Sequence, residues 1–206
     1  MDMKKLVCLL FFACLFIDGF CQLSQQPIYM RLDTCWKGYF PHKDQYVEYL
    51  LTGSSKLQDA YHVLVNPELG LMVTFADKTN FESNISMLEA HKKWEIDYWK
   101  KQVKNIRVVD CKDLYEGINN TLVTELELTS DNPKRTLRSC FIGVSGNDGV
   151  FVFAFSSPSI LDHELIKRFI KSIILVDKPF NPIDLKNEII RLKNKDDSIT
   201  RNRTNR

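Results

Sequence analysis

Apolar and polar positions follow two different periods along this chain, and together they predict a mixed α+β domain built on antiparallel β-strands. From 27 to 33, Ile28, Met30 and Leu32 alternate with more polar neighbours, which is typical of a half-buried strand. An aromatic, turn-prone link is expected through 36–41. The next run, 46–51, is apolar on both faces, so a strand and a helix both fit its periodicity, and we expect a short helix capped by Asp44.

The middle of the chain predicts a hairpin followed by a long helix. Two β-prone runs, 61–65 and 71–75, are joined by a turn-forming Asn-Pro-Glu-Leu-Gly segment. Thr79 and Glu82 have the spacing of a capping box, which predicts a helix from there to about Lys104. The apolar stripe of this helix recurs at helical steps and comprises Phe81, Ile85, Leu88, Ile96, Trp99 and Val103.

The second half of the chain predicts an antiparallel meander closed by a helix. Strands are expected at 106–111, 121–129, 136–144 and 150–155, with Asp-Asn-Pro and Asn-Asp-Gly turns between the later ones. The last run is apolar on both faces, as in a central strand that is covered from two sides. An amphipathic helix follows Pro158, and Asn181 is expected to cap a short helix before a basic, disordered tail.

The N-terminus has the pattern of a secretory signal peptide. Lys4 and Lys5 precede an apolar run of about a dozen residues, which is shorter than the roughly 20 needed to span a bilayer. We therefore predict a signal peptide at 1–21 cleaved before Gln22, a single α+β domain at 22–178, and a short helix with the basic tail at 179–206. The protein would be exported, to a periplasm or the extracellular space, with no transmembrane segment after cleavage. Acylation of Cys21 is the less favoured alternative, because Phe20 is bulky where a small residue is expected.

Charge and cysteine content narrow the classes of partner and cofactor. The formal net charge is +2, and this near balance argues against nucleic acid as the main partner. Signal cleavage leaves Cys35, Cys111 and Cys140, so at most one intramolecular disulfide can form. We predict that Cys111 pairs with Cys140, because both lie in the meander. The chain after the signal peptide has no Cys-x-x-Cys motif and no histidine pair at helical spacing, so we assign no metal and no cofactor.

Two short segments resemble catalytic elements, but their spacing argues against both. The Gly-Val-Ser-Gly-Asn run at 143–147 resembles a nucleophile elbow, yet its second glycine comes one position early and it joins two strands. Asp162, His163 and Glu164 are helical neighbours about 100° apart, so they cannot converge on one atom. We interpret them as solvated first-turn residues that favour the helix dipole. No catalytic residue is assigned, and whether the protein is an enzyme is left open.

The long helix carries a second stripe that we take as the candidate binding site. Met87, His91, Trp94 and Tyr98 recur at steps of four, three and four, about 120° round the helix from the first stripe. Tryptophan, tyrosine and methionine are enriched where proteins meet partners. The alternative is that the N-terminal segment around Trp36 and Tyr39 folds over this stripe and makes it part of the core.

The order of elements resembles that of the PsbP-like family over roughly 61–176. The resemblance rests on the hairpin, the long helix, three meandering strands with their Asp-Asn-Pro and Asn-Asp-Gly turns, and the Ser-Ile-Ile-Leu exit from the closing helix. It implies an α/β/α sandwich, an antiparallel sheet flanked by helices, and a mostly non-enzymatic role. We therefore expect an exported binding or accessory protein with a protein partner. A hydrolase-type enzyme and an immunity protein against a secreted toxin are the alternatives.

Overall fold

Eleven strands in the described part of the chain form two antiparallel sheets. The computed structural model describes residues 26–52, 55–81, 85–109, 111, 115, 121–131, 134–181, 183, 185–187 and 190. The smaller sheet has the order β1-β2-β3-β11 and contains β1 (Ile28–Arg31), β2 (Cys35–His42), β3 (Gln45–Thr52) and β11 (Ile174–Val176). The predicted signal peptide and basic tail lie outside the described residues.

The larger sheet has seven strands in the order β4-β5-β6-β10-β9-β8-β7. Its strands are β4 (Lys56–Leu57), β5 (His62–Leu64), β6 (Gly70–Asp77), β7 (Asn105–Val109), β8 (Thr121–Asp131), β9 (Lys134–Ser145) and β10 (Gly149–Ser157). The predicted hairpin is β5 with β6, and the predicted meander is β7 to β10. Both predictions are confirmed, with bounds that shift by a few residues.

Two helices with capped N-termini complete the fold. Helix α1 (Met87–Gln102) begins after Ser86, whose hydroxyl oxygen accepts a hydrogen bond from the Glu89 amide at 3.3 Å. Helix α2 (His163–Ser172) begins after Asp162, whose carboxylate accepts from the Leu165 amide at 2.9 Å. Each cap satisfies an amide that has no partner within the first helical turn. No helix among the described residues is both long enough and apolar enough to cross a membrane.

The expected start of α1 at Thr79 is wrong. Asp77 caps a 3-10 helix at Lys78–Asn80 instead, and its carboxylate accepts from the Thr79 amide at 2.9 Å. Phe81 then has extended backbone, so the helical turn ends there. Glu82, the other half of the proposed capping box, lies outside the described residues.

Strand β10 is buried on both faces, as its composition predicts. Phe151, Phe153 and Phe155 point into the core between the two sheets. Val150, Val152 and Ala154 point the other way, into the core beneath α1. The molecule therefore has three layers, with the small sheet on one face of the large sheet and α1 on the other.

Aromatic rings fill the core between the sheets, and α2 completes it beside β3. Tyr49 on β3 lies edge-on to Phe153 at 5.0 Å and to Phe169 of α2 at 5.7 Å between ring centroids. Ile166 and Ile170, on the same face of α2, are fully buried in this cluster. The apolar stripe predicted for the closing helix is therefore confirmed as its buried face.

The predicted link at 36–41 and the short helix at 46–51 are both wrong, because these segments are β2 and β3. Strand β3 pairs with β2 on one side and β11 on the other, and Tyr49 lies on its inner face. Tyr46 lies on the outer face of β3, where the Phe180 ring packs against it edge-on with ring centroids 5.3 Å apart. Burial of Tyr46 on the outer face, together with an exposed apolar residue at Leu50, removes the alternation that marks a half-buried strand.

The segment after β11 continues over the outer face of the small sheet. Phe180 and Leu185 pack against a cluster centred on Met30, Tyr39 and Tyr46. The Asn181 side-chain oxygen accepts a hydrogen bond from the Ile183 amide at 3.0 Å, and 185–187 are helical. The predicted role of Asn181 as a helix cap is confirmed.

A cluster of charged side chains connects the two sheets at one end of the sandwich. Lys43, in the β2–β3 turn, and Lys78 each place an ammonium nitrogen 2.8 Å from the Asp148 carboxylate in the β9–β10 turn. Hydrogen bonds from these two ammonium groups lower the pKa of Asp148 to about 2. The Gly-Val-Ser-Gly-Asn run therefore leads into a hairpin turn that links the two sheets.

Candidate functional site

The second stripe of α1 forms a stacked aromatic surface, here called the aromatic face (Met87, His91, Trp94 and Tyr98). The His91 and Trp94 rings stack with centroids 6.2 Å apart, and Trp94 stacks on Tyr98 at 5.5 Å with an angle of 15° between the planes. Helical spacing places these rings on successive turns. The rings of His91, Trp94 and Tyr98 thus form one continuous stack, and Met87 lies on the same side of the helix.

The members of the aromatic face differ in how far they are buried. Trp94 is 36% exposed, whereas His91 is only 4% exposed. Met87 and Tyr98 are half-buried and pack against the core between α1 and the large sheet. Most of the stripe therefore belongs to the core, and Trp94 is its exposed part.

The predicted cover of this stripe by Trp36 and Tyr39 is wrong. Both residues lie in β2 of the small sheet, on the far side of the large sheet from α1. The Trp36 indole donates a hydrogen bond to the Ser55 carbonyl at 3.1 Å, and Tyr39 packs on Phe180 at 5.5 Å. The aromatic face is therefore covered by neither of them.

A buried contact between His91 and Glu95 within α1 holds the His91 ring. His91 Nε2 lies 3.4 Å from Glu95 Oε1, one turn further along the helix, and both side chains are nearly inaccessible. The Phe81 ring meets His91 edge-on at 5.8 Å. His91 is thus held by Glu95, Phe81 and Trp94, which supports a fixed position for the exposed indole.

Charged residues border the exposed indole. Asp97 follows Trp94 by three positions and lies 3.8 Å from Lys100, and Lys101 is exposed one turn further on. Residues three, four and seven apart lie on the same side of a helix. The exposed part of the aromatic face therefore has an apolar centre and a charged edge.

A second group of functional side chains lies in the core between the sheets. This polar cluster comprises Tyr115, Glu125, Cys140 and His163, which come from four separate parts of the chain. Glu125 on β8 lies directly opposite Cys140 on β9. His163, the first residue of α2, lies beside Tyr115, which follows β7 in sequence.

Hydrogen bonding connects the polar cluster only in part. Tyr115 Oη lies 3.1 Å from His163 Nδ1, and the two rings stack at 6.1 Å. His163 Nε2 lies 3.8 Å from Glu125 Oε2, which is beyond hydrogen-bonding distance. Glu125 is only 4% exposed, and no described residue donates a hydrogen bond to its Oε2 atom. A buried polar oxygen without a hydrogen bond lowers the stability of the folded state.

Burial sets the protonation of the sulfur and phenol groups in this cluster. Loss of solvation raises the pKa of the Cys140 thiol well above its usual range, and the nearby Cys111 and Glu125 raise it further. The Tyr115 hydroxyl, which donates to the Cys140 sulfur, offsets part of this effect. Burial also raises the pKa of Tyr115. Both groups are therefore neutral at physiological pH.

His163 is only partly solvated, whereas full exposure was expected of all three first-turn residues. Glu164 is exposed and pairs with Lys167 at 3.2 Å, as expected of a first-turn acid. His163 instead turns toward Tyr115 and Glu125. Sequence reasoning missed this grouping because its members are far apart in the chain and share no periodic pattern.

Cys35, Cys111 and Cys140 form no disulfide within the described ranges, and Cys111 and Cys140 belong to the same core cluster. The proposed pairing of Cys111 with Cys140 is therefore not formed here. Within the described ranges, no three His, Cys, Asp or Glu side chains are arranged to hold a metal ion.

The fold and its two groups of side chains define a three-layer, antiparallel α+β protein. Comparison of the chain with protein-family models, with curated proteins and with solved structures finds no match.

Proposed function

We propose that this is an exported, non-enzymatic binding or accessory protein of the cell envelope or extracellular space, which docks a protein partner through the aromatic face of α1. The observation that carries the proposal is the exposed Trp94 indole, stacked on Tyr98 and His91. Tryptophan and tyrosine dominate the residues that contribute most to binding energy in protein interfaces.

The stacked arrangement supports binding because it reduces the cost of association. A side chain that is already fixed loses little conformational freedom when a partner covers it. The buried contact between His91 and Glu95 fixes the base of the stack. The charged edge formed by Asp97 and Lys101 supplies the polar rim that specific interfaces have.

The export part of the proposal rests on the short apolar run that follows Lys4 and Lys5. We also propose a relationship to the PsbP-like family. Its support is the order of elements, in which a hairpin, α1, the meander and α2 follow one another and β11 comes directly after α2. The second sheet around β2 and β3 precedes the segment that carries the resemblance.

The buried polar cluster does not favour the hydrolase alternative. Cys140 has no exposed surface and a raised pKa, so its sulfur is a protonated thiol that a substrate cannot reach. An immunity protein would use the same kind of surface as an accessory protein. The identity of the captured partner distinguishes these two roles, because a toxin is inactivated on binding.

Photo-crosslinking from single positions tests the docking surface. A photoreactive amino acid replaces Trp94 in the full chain, and a matched control replaces Leu50, which is exposed on the small sheet. We expect a discrete protein adduct from position 94 and none from position 50 in cells that export the protein. Equal adducts from both positions, or adducts from position 50 alone, would refute the assignment of the aromatic face.

A binding measurement with the partner identified in this way gives the second test. Trp94→Ala is expected to weaken binding at least tenfold, whereas Leu50→Ala leaves it unchanged. The intact mass of exported protein tests the localisation, and we expect a chain that begins at Gln22. A retained signal segment or acyl chains on Cys21 would contradict this part of the proposal.

A further inference from the structure

His42 is the last residue of β2, and its ring forms a contact between the two sheets. It stacks on the Phe75 ring of β6, with centroids 3.6 Å apart and 16° between the planes. The Phe151 ring of β10 meets it edge-on at 6.4 Å. Lys43, the next residue, is held to the same sheet by Asp148 at 2.8 Å. The β2–β3 turn is thus attached to the large sheet by two consecutive side chains, one aromatic and one charged.

The His42 ring lies where a positive charge is poorly solvated. Its Nε2 atom is buried, and no described residue forms a hydrogen bond with it. A neutral imidazole tolerates this position, because one of its nitrogens carries no proton, whereas an imidazolium has an N–H group on both. A buried N–H group without an acceptor and a charge removed from water both disfavour the protonated ring.

Charged groups from three parts of the chain surround this ring. Lys43 follows it in the β2–β3 turn, and Asp77 ends β6. Asp148 lies in the β9–β10 turn, where Lys78 also contacts it. Burial and repulsion by Lys43 lower the pKa of His42 below its ordinary value of 6.5, although Asp148 and Asp77 favour the charged form. The ring is therefore neutral at pH 7 and gains a proton in acid.

We propose that the His42–Phe75 stack is an acid-sensitive contact between the two sheets, which holds the β2–β3 turn while His42 is neutral and opens when His42 gains a proton. The opened ring exposes both N–H groups to water, beside two carboxylates that attract its charge. Lys43 stays paired, because Asp148 has a pKa of about 2 and remains ionised in mild acid. Acid therefore loosens this turn without separating the sheets.

The lowered pKa of His42 sets the direction of the pH dependence. The open or unfolded chain binds a proton at the ordinary histidine pKa of 6.5, and the closed chain binds it only at lower pH. The contact is thus at full strength above 6.5 and weakens as pH falls from there toward the pKa of the closed state. The contribution of Asp148 is lost only nearer pH 2, so the two effects are separable.

Backbone hydrogen exchange of the exported chain at about pH 7 and about pH 5 tests the contact. After correction for intrinsic exchange rates, amides of β2 and β3 beside the turn should exchange about threefold to 30-fold faster at the lower pH, the upper value being the factor by which protonation favours the open state. Amides at the centre of β10 should not change. His42→Phe keeps a ring on Phe75 but cannot gain a proton, so it should abolish the acceleration.

Imidazole resonances give a second measurement that does not depend on how well His42→Phe folds. His42 of the wild type should titrate below 6.5, and Phe75→Leu should move this titration toward 6.5 because the stack is removed. The resonances of His163, in the polar cluster, should be unaffected by that substitution. A wild-type His42 that titrates at 6.5 or above, or acceleration that persists in His42→Phe, would overturn the proposal. Equal acceleration in β10 would also overturn it, because acid would then loosen the whole molecule rather than this contact.

Discussion

Replacement of Gly38 by alanine tests the packing between β2 and β3. Gly38 lies directly opposite Tyr49, and the tyrosine ring covers the space where a side chain would project. An added Cβ atom would lie 2.8 Å from the Tyr49 hydroxyl oxygen and nearer still to two ring carbons. Carbon atoms in contact prefer about 3.5–4.0 Å, so the ring must move or the strands must separate.

The surroundings of Tyr49 decide the magnitude of this effect. The ring has no exposed surface and is held by Phe153 at 5.0 Å and Phe169 at 5.7 Å. Its hydroxyl also lies 3.2 Å from that of Tyr29. Overpacking of this kind costs about 1–3 kcal/mol, and a lost hydrogen bond adds about 1 kcal/mol. We expect Gly38→Ala to lower the free energy of unfolding by roughly 3 kcal/mol, or the melting temperature by about 6–12 °C.

Urea denaturation of the wild type and four variants measures the effect and its cause. Tyr49→Leu removes the ring, so the double variant Gly38→Ala/Tyr49→Leu should lose clearly less than the sum of the two single losses. Gly143→Ala is the milder control, because its Cβ would lie 3.1 Å from Val150 and 3.2 Å from Leu88, farther than the Cβ of Gly38→Ala would lie from Tyr49. A loss below about 0.5 kcal/mol for Gly38→Ala, or strict additivity in the double variant, would refute the reasoning.

Three further measurements follow from the structure. Because Trp99 is buried, Trp99→Ala should lower the free energy of unfolding in urea by about 3–5 kcal/mol. Trp94→Ala should lower it far less, because Trp94 is exposed, and equal losses would place Trp94 in the core. The lowered pKa of Asp148, about 2, means that its stabilising contribution is present above the usual carboxyl pKa and lost as pH falls toward 2. Asp148→Asn should flatten stability over that interval, and an unchanged slope would argue against the contacts with Lys43 and Lys78. Burial raises the pKa of Tyr29 to about 12, so ultraviolet titration should show a late-ionising tyrosine that Tyr29→Phe removes.

The spacing of apolar residues within a segment was sufficient to predict those helices and strands whose buried faces coincide with their apolar positions. Strand β10 is apolar throughout, and it is covered on both faces as expected. Helix α2 has one apolar stripe and buries that stripe alone. The meander was predicted because its turns contain Asn, Asp and Gly, which mark chain reversals independently of tertiary contacts.

The sequence contains two possible N-terminal caps for α1, and their spacing does not distinguish them. Ser86 and Glu89 have the same capping-box spacing as Thr79 and Glu82, and both lie upstream of apolar residues. The structure uses Ser86, because Asp77 caps a short 3-10 helix at Lys78–Asn80 and the chain is extended at Phe81. The spacing of the two motifs is the same, so it does not show which of them begins the long helix and which lies beside a single helical turn.

The polar cluster could not be predicted, because its geometry exists only after the sheets form. The sequence alone does not distinguish Glu125 from other strand residues. Its position opposite Cys140 depends on the register of β8 and β9. The sequence alone identifies His163 only as a residue of the first helical turn. Its contact with Tyr115 depends on the packing of α2 beside β3. Such grouping depends on long-range contacts, which periodicity within one segment does not encode.

The exposure of Trp94 follows from the geometry of α1 on the sheet. At about 100° per residue, Trp94 lies roughly 140° round the helix from Trp99, which is buried against β9 and β10. A helix packed on one sheet buries an arc of somewhat more than about 100°. Tyr98 and Met87, about 100° and 120° round the helix from Trp99, are half-buried, and Trp94, slightly further round, is 36% exposed. The sheet does not require an indole at this position, since a polar side chain would suffice there. The exposed position of the indole is the basis on which we propose that it contacts a partner.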